Sequence, residues 1–214
     1  MTMKTDDLIA SLTADNSWHP RPVWFGLLAA LFVALPLSGS LFMMKLGVRP
    51  DVATAMHNPF FGLKFFVTLA LAFTAAVLSL HLSRPETSLK KWVWLLLIPA
   101  GILGIGVASD FVVPQRLNWI SRLVGSNSVI CMTAIPLLSL PFLAAALLTL
   151  RRGATSRPVL TGALAGLMSA GFAATLYASH CTDDSPLFVA VWYTIAATPV
   201  VLLGALAGWR VLKF

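Results

Sequence analysis

Charge is what this chain has least of. Of its 214 residues 11% are charged, with only eight Asp and Glu, and 58% are hydrophobic. An ordinary soluble domain carries about 25% charged residues. A globule of this length needs a polar coat, and the residues for one are missing. Cysteine is nearly absent as well: there are two, Cys131 and Cys181, and no C-x-x-C pair. That spacing argues against a dithiol oxidoreductase of the usual kind and against the common structural zinc sites. No glycine-rich phosphate loop and no G-x-S-x-G elbow is present, so nucleotide-dependent and serine-hydrolase chemistry have no foothold. The apolar runs hold almost no ionisable side chains, whereas transporters and proton pumps need them. Lys64 and Asp110 are the two candidates, each near the end of a run. No catalytic residue, cofactor, metal centre or small-molecule substrate is expected, and no basic-aromatic stretch points to nucleic acid.

What remains is apolar. Six runs stand out: Val23–Met44, Phe65–Leu82, Trp92–Ala108, Val129–Leu150, Val159–Ala178 and Leu187–Trp209. A helix needs about 20 residues to cross the hydrocarbon of a bilayer. The runs are continuous and do not alternate, which excludes barrel strands. The expectation is an all-α bundle of six spans across residues 23–214, preceded by a tail of residues 1–22. Lys64 and His81 flank the second run, where long or amphipathic side chains can snorkel to the interface. The third run extends to Val113 if Asp110 faces protein or water.

The punctuation agrees. Pro22, Pro59, Pro158 and Pro186 stand at or just before the start of a run, where a missing N–H costs nothing. Ser185, and Asn127 or Ser128, are suitable N-caps for the sixth and fourth helices. Pro36, Pro99, Pro136, Pro141 and Pro199 lie within runs and predict kinks rather than breaks. Gly162-x-x-x-Gly166 and Gly204-x-x-x-Gly208 allow close helix approach. The first run is longer than a signal-peptide core and follows Asp6, Asp7 and Asp15, so it is expected to remain as a span.

Basic residues set the orientation. Lys4, Arg21, Arg84, Lys90, Lys91, Arg151, Arg152, Arg157, Arg210 and Lys213 fall on one side; Lys45, Arg49, Lys64, Arg116 and Arg122 fall on the other. Ten against five puts both termini in the cytoplasm. The net charge of +7 is then a topology signal.

Two stretches carry the candidate chemistry. Ser179-His180-Cys181-Thr182-Asp183-Asp184-Ser185-Pro186, between the fifth and sixth runs, is the one cluster of redox-capable or metal-capable side chains. With this topology Cys131 and Cys181 both face the oxidising side, where disulfides persist. They can form a permanent bridge, a reversible redox pair, or two buried thiols; a bridge would contribute about 4 kcal/mol of loop entropy, less in a preformed bundle. His180, Asp183 and Asp184 are candidates to surround them. The two carboxylates also have a plain use, as negative charge at the N-terminus of the sixth helix. The second stretch is the tail. Thr5 can cap a short helix with Asp6 and Asp7 in its first turn and Leu8, Ile9 and Leu12 on one face. About ten residues fall short of the 12–15 that an isolated helix needs, so a partner or the membrane surface would order it. An acidic amphipathic helix suits a basic, grooved partner.

Met3-Lys4-Thr5-Asp6-Asp7-Leu8-Ile9, six spans, then His180 to Phe188 and Trp192-Tyr193, resemble the NrsF-type membrane anti-sigma factors of proteobacteria over essentially the whole chain. That resemblance implies an inner-membrane protein that holds an extracytoplasmic-function (ECF) sigma factor at the membrane, and the tail's Asp6, Asp7, Leu8, Ile9 and Leu12 are then the candidate docking residues. It also implies that two outward-facing cysteines, here Cys131 and Cys181, sense oxidative or heavy-metal stress. Two other classes fit the bundle alone. A small transporter or channel with a structural disulfide would need a path lined by ionisable groups. A quinone-linked thiol oxidoreductase would need a second redox pair.

Overall fold

The structure, a computed structural model, describes residues 5–14, 22–85, 87–88, 92–112 and 118–213; for Leu8 and residues 11–14 it describes the backbone alone. Among the described residues every regular element is a helix, and there is no strand. A short α1 (Thr5–Ala14) precedes the bundle, with Asp6 and Asp7 in its first turn. The first span is α2 (Val23–Lys45). A one-turn α3 (Val52–Ala55) leads to the second, α4 (Pro59–Leu82). A 3-10 turn (Val93–Leu96) opens the third, α5 (Leu97–Val112). The short α6 (Trp119–Val124) precedes the fourth, α7 (Ser128–Leu150). The fifth is α8 (Pro158–Ala178). The sixth is α9 (Pro186–Phe188), a π turn (Val189–Tyr193) and α10 (Thr194–Val211) in continuous succession. All six spans are long and apolar enough to cross a membrane. Lipid offers no partner to a backbone N–H or C=O, so helices are the form these runs must take.

The centre of the bundle is α8, which packs against α10, α4 and α7, while α2 leans on α7 and α5 on α4. Small residues make this possible. A side chain at Gly166 would place its Cβ 2.6 Å from the carbonyl oxygen of Val200, and one at Gly171 2.8 Å from the backbone of Ala72. Gly162 and Gly166 meet Gly204 and Gly208 face to face, so both glycine pairs serve one contact. Polar side chains stitch the spans inside: Ser38 donates to the Leu138 carbonyl at 2.7 Å, and Thr175 to Thr68 at 2.9 Å. Pro36, Pro136, Pro141 and Pro199 all lie within continuing helices.

Hydrogen bonds mark the two ends. At one, Ala154 donates its N–H to the Ser83 carbonyl at 3.0 Å, joining the 83–88 and 151–157 connections. At the other, the segment after α2 meets the α8–α9 connection, where Arg49 N–H donates to Ser179 O at 3.1 Å.

Three expectations need correction. Lys64 does not snorkel. The second span begins at Pro59, behind the Asn58 cap, so Lys64 lies in its second turn and is 1% exposed. Asn127 occupies the N-cap position of α7, but its side chain does not cap; a carboxylate from the distant Asp183 supplies the negative charge there. The Asp183 and Asp184 carboxylates bind the start of α7 and the buried cations, and the sixth helix is capped by Ser185 through the Leu187 N–H. Asp110 is fully buried and ion-paired with Arg122, which ties the end of α5 to α6.

Candidate functional site: the paired thiols and their fastening loop

Cys131 is the fourth residue of α7, one turn inside the span. Cys181 follows α8 by three residues, outside the spans. The fold brings them into one core cluster with Ile135, Tyr177, Phe188 and Tyr193, and neither is exposed to any degree. Both are free thiols. Both belong to the same buried cluster at this end of the bundle.

The aromatic wall around them comes from α8, α9 and the π turn. Tyr177 and Tyr193 pack edge to face at 5.8 Å, and Phe188 meets Tyr193 at 6.3 Å. The Tyr177 hydroxyl donates to the Asn127 carbonyl at 3.1 Å, linking α8 to the start of α7. The buried Tyr193 hydroxyl has no hydrogen-bonding nitrogen or oxygen among the described residues, and the two sulfurs and the Tyr177 hydroxyl are its polar neighbours. A π turn widens a helix by one residue and often marks a site. Here it swings Tyr193 towards the thiols while Trp192 donates to Leu123 O at 2.8 Å.

Nearly every residue from Ser179 to Ser185 is a fastener. His180 pairs its Nδ1 with the Gly47 carbonyl at 3.0 Å, and Gly47 turns with φ +71°, a left-handed value that favours glycine. The Cys181 carbonyl accepts from Lys64 Nζ at 2.9 Å and Arg49 Nη1 at 3.3 Å. Thr182 Oγ1 accepts from Asn127 Nδ2 at 2.9 Å. Asp183 accepts the N–H of Asn127 at 2.8 Å and of Ser126 at 3.0 Å, at the positive end of the helix that carries Cys131. Its approach depends on Gly125, at φ +59°, where a Cβ would lie 2.8 Å from the Asp183 carboxyl carbon. Asp184 is shared between two buried cations, Lys64 at 2.7 Å and Arg49 at 3.0 Å. Arg49 is held further by Asp51 at 2.7 Å and by the ring of Phe61.

The electrostatics follow from these contacts. Arg49 keeps the Asp51 carboxyl below its ordinary range, and the same hydrogen bonds raise the guanidinium. Burial pushes the Cys181 thiol up; the charge of Lys64 pulls against it. A resting thiol so placed is shielded and weakly reactive.

The expected pair, Cys131 and Cys181, is thus assembled, and His180, Asp183 and Asp184 surround it. Their side chains bind backbone and cations, while the Cys181 thiol donates to the Asp183 backbone carbonyl at 3.7 Å. Among the described residues no group of three or more His, Cys, Asp or Glu side chains could hold a metal ion. On α1, Asp6 and Asp7 are exposed and Ile9 is 55% exposed, while the side chains of Leu8 and Leu12 lie outside the described residues. Sequence reasoning passed over Arg49 and Lys64 as partners, Tyr177 altogether, and Tyr193 as a neighbour of the thiols. Lys64 carried a usable signal, because an ionisable residue within a span implies a partner.

The fold and the loop define a multi-pass helical membrane protein with two buried thiols at one end. Residues 12–214 match the family described as negative regulator of sigma F, NrsF, and the chain belongs to that family. It is 32% identical to the anti-sigma-F factor NrsF of Caulobacter vibrioides (strain NA1000 / CB15N) over 209 residues, 97% of this chain and 96% of that one. It is 30% identical to the probable anti-sigma-F factor NrsF of Azospira oryzae (strain ATCC BAA-33 / DSM 13638 / PS) over 220 residues, 99% of this chain and the whole of that one. No solved structure matches the chain.

Proposed function

We propose that this protein is a membrane-bound anti-sigma factor rather than an enzyme. It holds an ECF-type sigma factor at the cytoplasmic face of a bacterial inner membrane. It releases that factor when Cys131 and Cys181 react with an oxidant or a thiophilic metal on the periplasmic side. The observation that carries this reading is the co-burial of two free thiols, otherwise unused, beneath a loop that fastens the ends of α2, α4, α7 and α9. Family membership supplies the anti-sigma role.

Two further points support the orientation. Of the five basic residues on the side assigned to the periplasm, Arg49, Lys64 and Arg122 are spent in ion pairs within the bundle. On the other side Arg84, Arg151, Arg152, Arg157, Arg210 and Lys213 are all exposed.

Residues 1–22 serve as the docking tail and residues 23–214 as the sensing domain. Joining the sulfurs pulls the start of α7 against the end of α8. These two helices are joined at the opposite end by the 151–157 connection, which is hydrogen-bonded to the end of α4. A strain at the thiols therefore has a packed route to the cytoplasmic side, where a loss of about 1.4 kcal/mol releases partner tenfold. The test is copurification of the sigma factor with the membrane protein before and after a thiol oxidant. Retention by the reduced protein and loss on oxidation support the reading; equal retention in both states refutes it.

A further inference from the structure

The two thiols are not equivalent. Cys131 is set into a span among Ala134, Ile135 and Leu138. Cys181 lies at the end of the bundle, beneath the 47–51 segment, and its carbonyl receives the buried ammonium of Lys64 at 2.9 Å. Lys64 is fixed there by Asp184 and by the Phe61 ring, at 5.2 Å from its centroid. Its side chain is 1% exposed.

We propose that Cys181 is the attacking thiol and Cys131 the resolving thiol, and that Lys64 is the positioning residue that sets this order. The proposal rests on the reading that the pair reacts. Lys64 offers a fixed positive charge to the Cys181 thiolate, against the cost of burial, and the thiolate is the nucleophile. Cys181 also lies outside the candidate spans, in the connection at the end of the bundle, whereas Cys131 lies one turn inside α7.

With a hydroperoxide the steps balance. The Cys181 thiolate attacks the terminal peroxide oxygen, the O–O bond breaks, and the alkoxide leaves with the proton the thiol gave up. Cys181 becomes a sulfenic acid, oxidised by two electrons while the peroxide is reduced to an alcohol. Cys131 then attacks the sulfenic sulfur, the disulfide forms, and water leaves.

The test uses the full chain in nanodiscs with one cysteine at a time. Hydrogen peroxide is the oxidant, dimedone traps sulfenic acid, and iodoacetamide reports thiolate. In C131S, dimedone is expected to label Cys181, and Cys181 to alkylate faster than Cys131 does in C181S. Lys64→Met should slow Cys181 alkylation about tenfold, the order expected when one charged neighbour of a thiolate is lost. Lys64→Arg should restore it to within about twofold, and the Cys131 rate should change in neither. If Lys64→Met loosens the loop, both rates rise; the K64M/D184N chain, with no stranded charge, then carries the test and should again be slow at Cys181 alone. Dimedone on Cys131, or equal alkylation of Cys181 with and without Lys64, overturns the proposal. Sigma release is not measured here. A wild-type disulfide that forms by the opposite order refutes the proposal and leaves the sensing reading intact; a pair that never bridges under peroxide refutes both the order and the redox form of that reading.

Discussion

Replacing Asp184 by Asn keeps the shape of the side chain and removes one charge. The parent cluster holds two cations, Arg49 and Lys64, and two carboxylates, Asp51 and Asp184. The side chain of Lys64 is 1% exposed and that of Asp184 13%. Stripping one partner from a buried pair costs about 3–5 kcal/mol, because the other charge stays buried without compensation. Arg49 keeps Asp51, and Lys64 keeps the Cys181 carbonyl, so the lower end, about 3 kcal/mol, is expected. Lys64→Met alone should cost less, about 1–2 kcal/mol, since Asp184 retains Arg49 and some solvent. Removing both removes the stranded charge as well, so K64M/D184N should be more stable than the sum of the single changes predicts, by at least about 1.5 kcal/mol. The assay is reversible denaturation in mixed micelles, followed by tryptophan fluorescence, for the four chains. Additivity to within about 0.5 kcal/mol would refute the shared-cluster argument.

Changing Leu8, Ile9 and Leu12 together to Ser should free the sigma factor while leaving membrane insertion unchanged. Fully buried apolar anchors contribute roughly 1.5–3 kcal/mol each, and a pull-down that still recovers the factor would place docking elsewhere. Asp183→Asn should cost about 1 kcal/mol, as the loss of charge at the start of α7, and so less than Asp184→Asn in the same denaturation assay. A cysteine introduced at Ser156, an exposed position between α7 and α8, should resist an impermeant reagent applied to intact spheroplasts; labelling from outside would invert the topology.

Much of this architecture is written locally. The six spans, the prolines at their starts, the Ser185 cap and the two glycine pairs follow from residues within a few positions of one another. The acidic first turn of α1 is equally local. What stayed hidden depends on partners far apart in the chain. Asp183 reads as a charge for the helix that follows it, yet it serves a helix that starts 55 residues earlier, because the turn at Gly125 presents free N–H groups. Lys64 looks like a snorkelling residue until Asn58 and Pro59 start the helix upstream and carry it inward. The short α6 escaped notice because six residues between two breaks carry too little periodicity to read. The cysteines were legible as a pair on one face, whereas their aromatic wall depends on the π turn, which no local pattern announced.

The central claim is that the thiol pair is the input to partner release. Cys131→Ser, Cys181→Ser and the double change should be compared with the parent in a sigma-dependent reporter strain, with and without a thiol oxidant or a thiophilic metal. A shared interaction is lost once, so the single changes should blunt induction to a similar degree and the double change should be no worse than either. Full induction in both single variants would contradict the account and leave the two cysteines as packing for the loop that covers them.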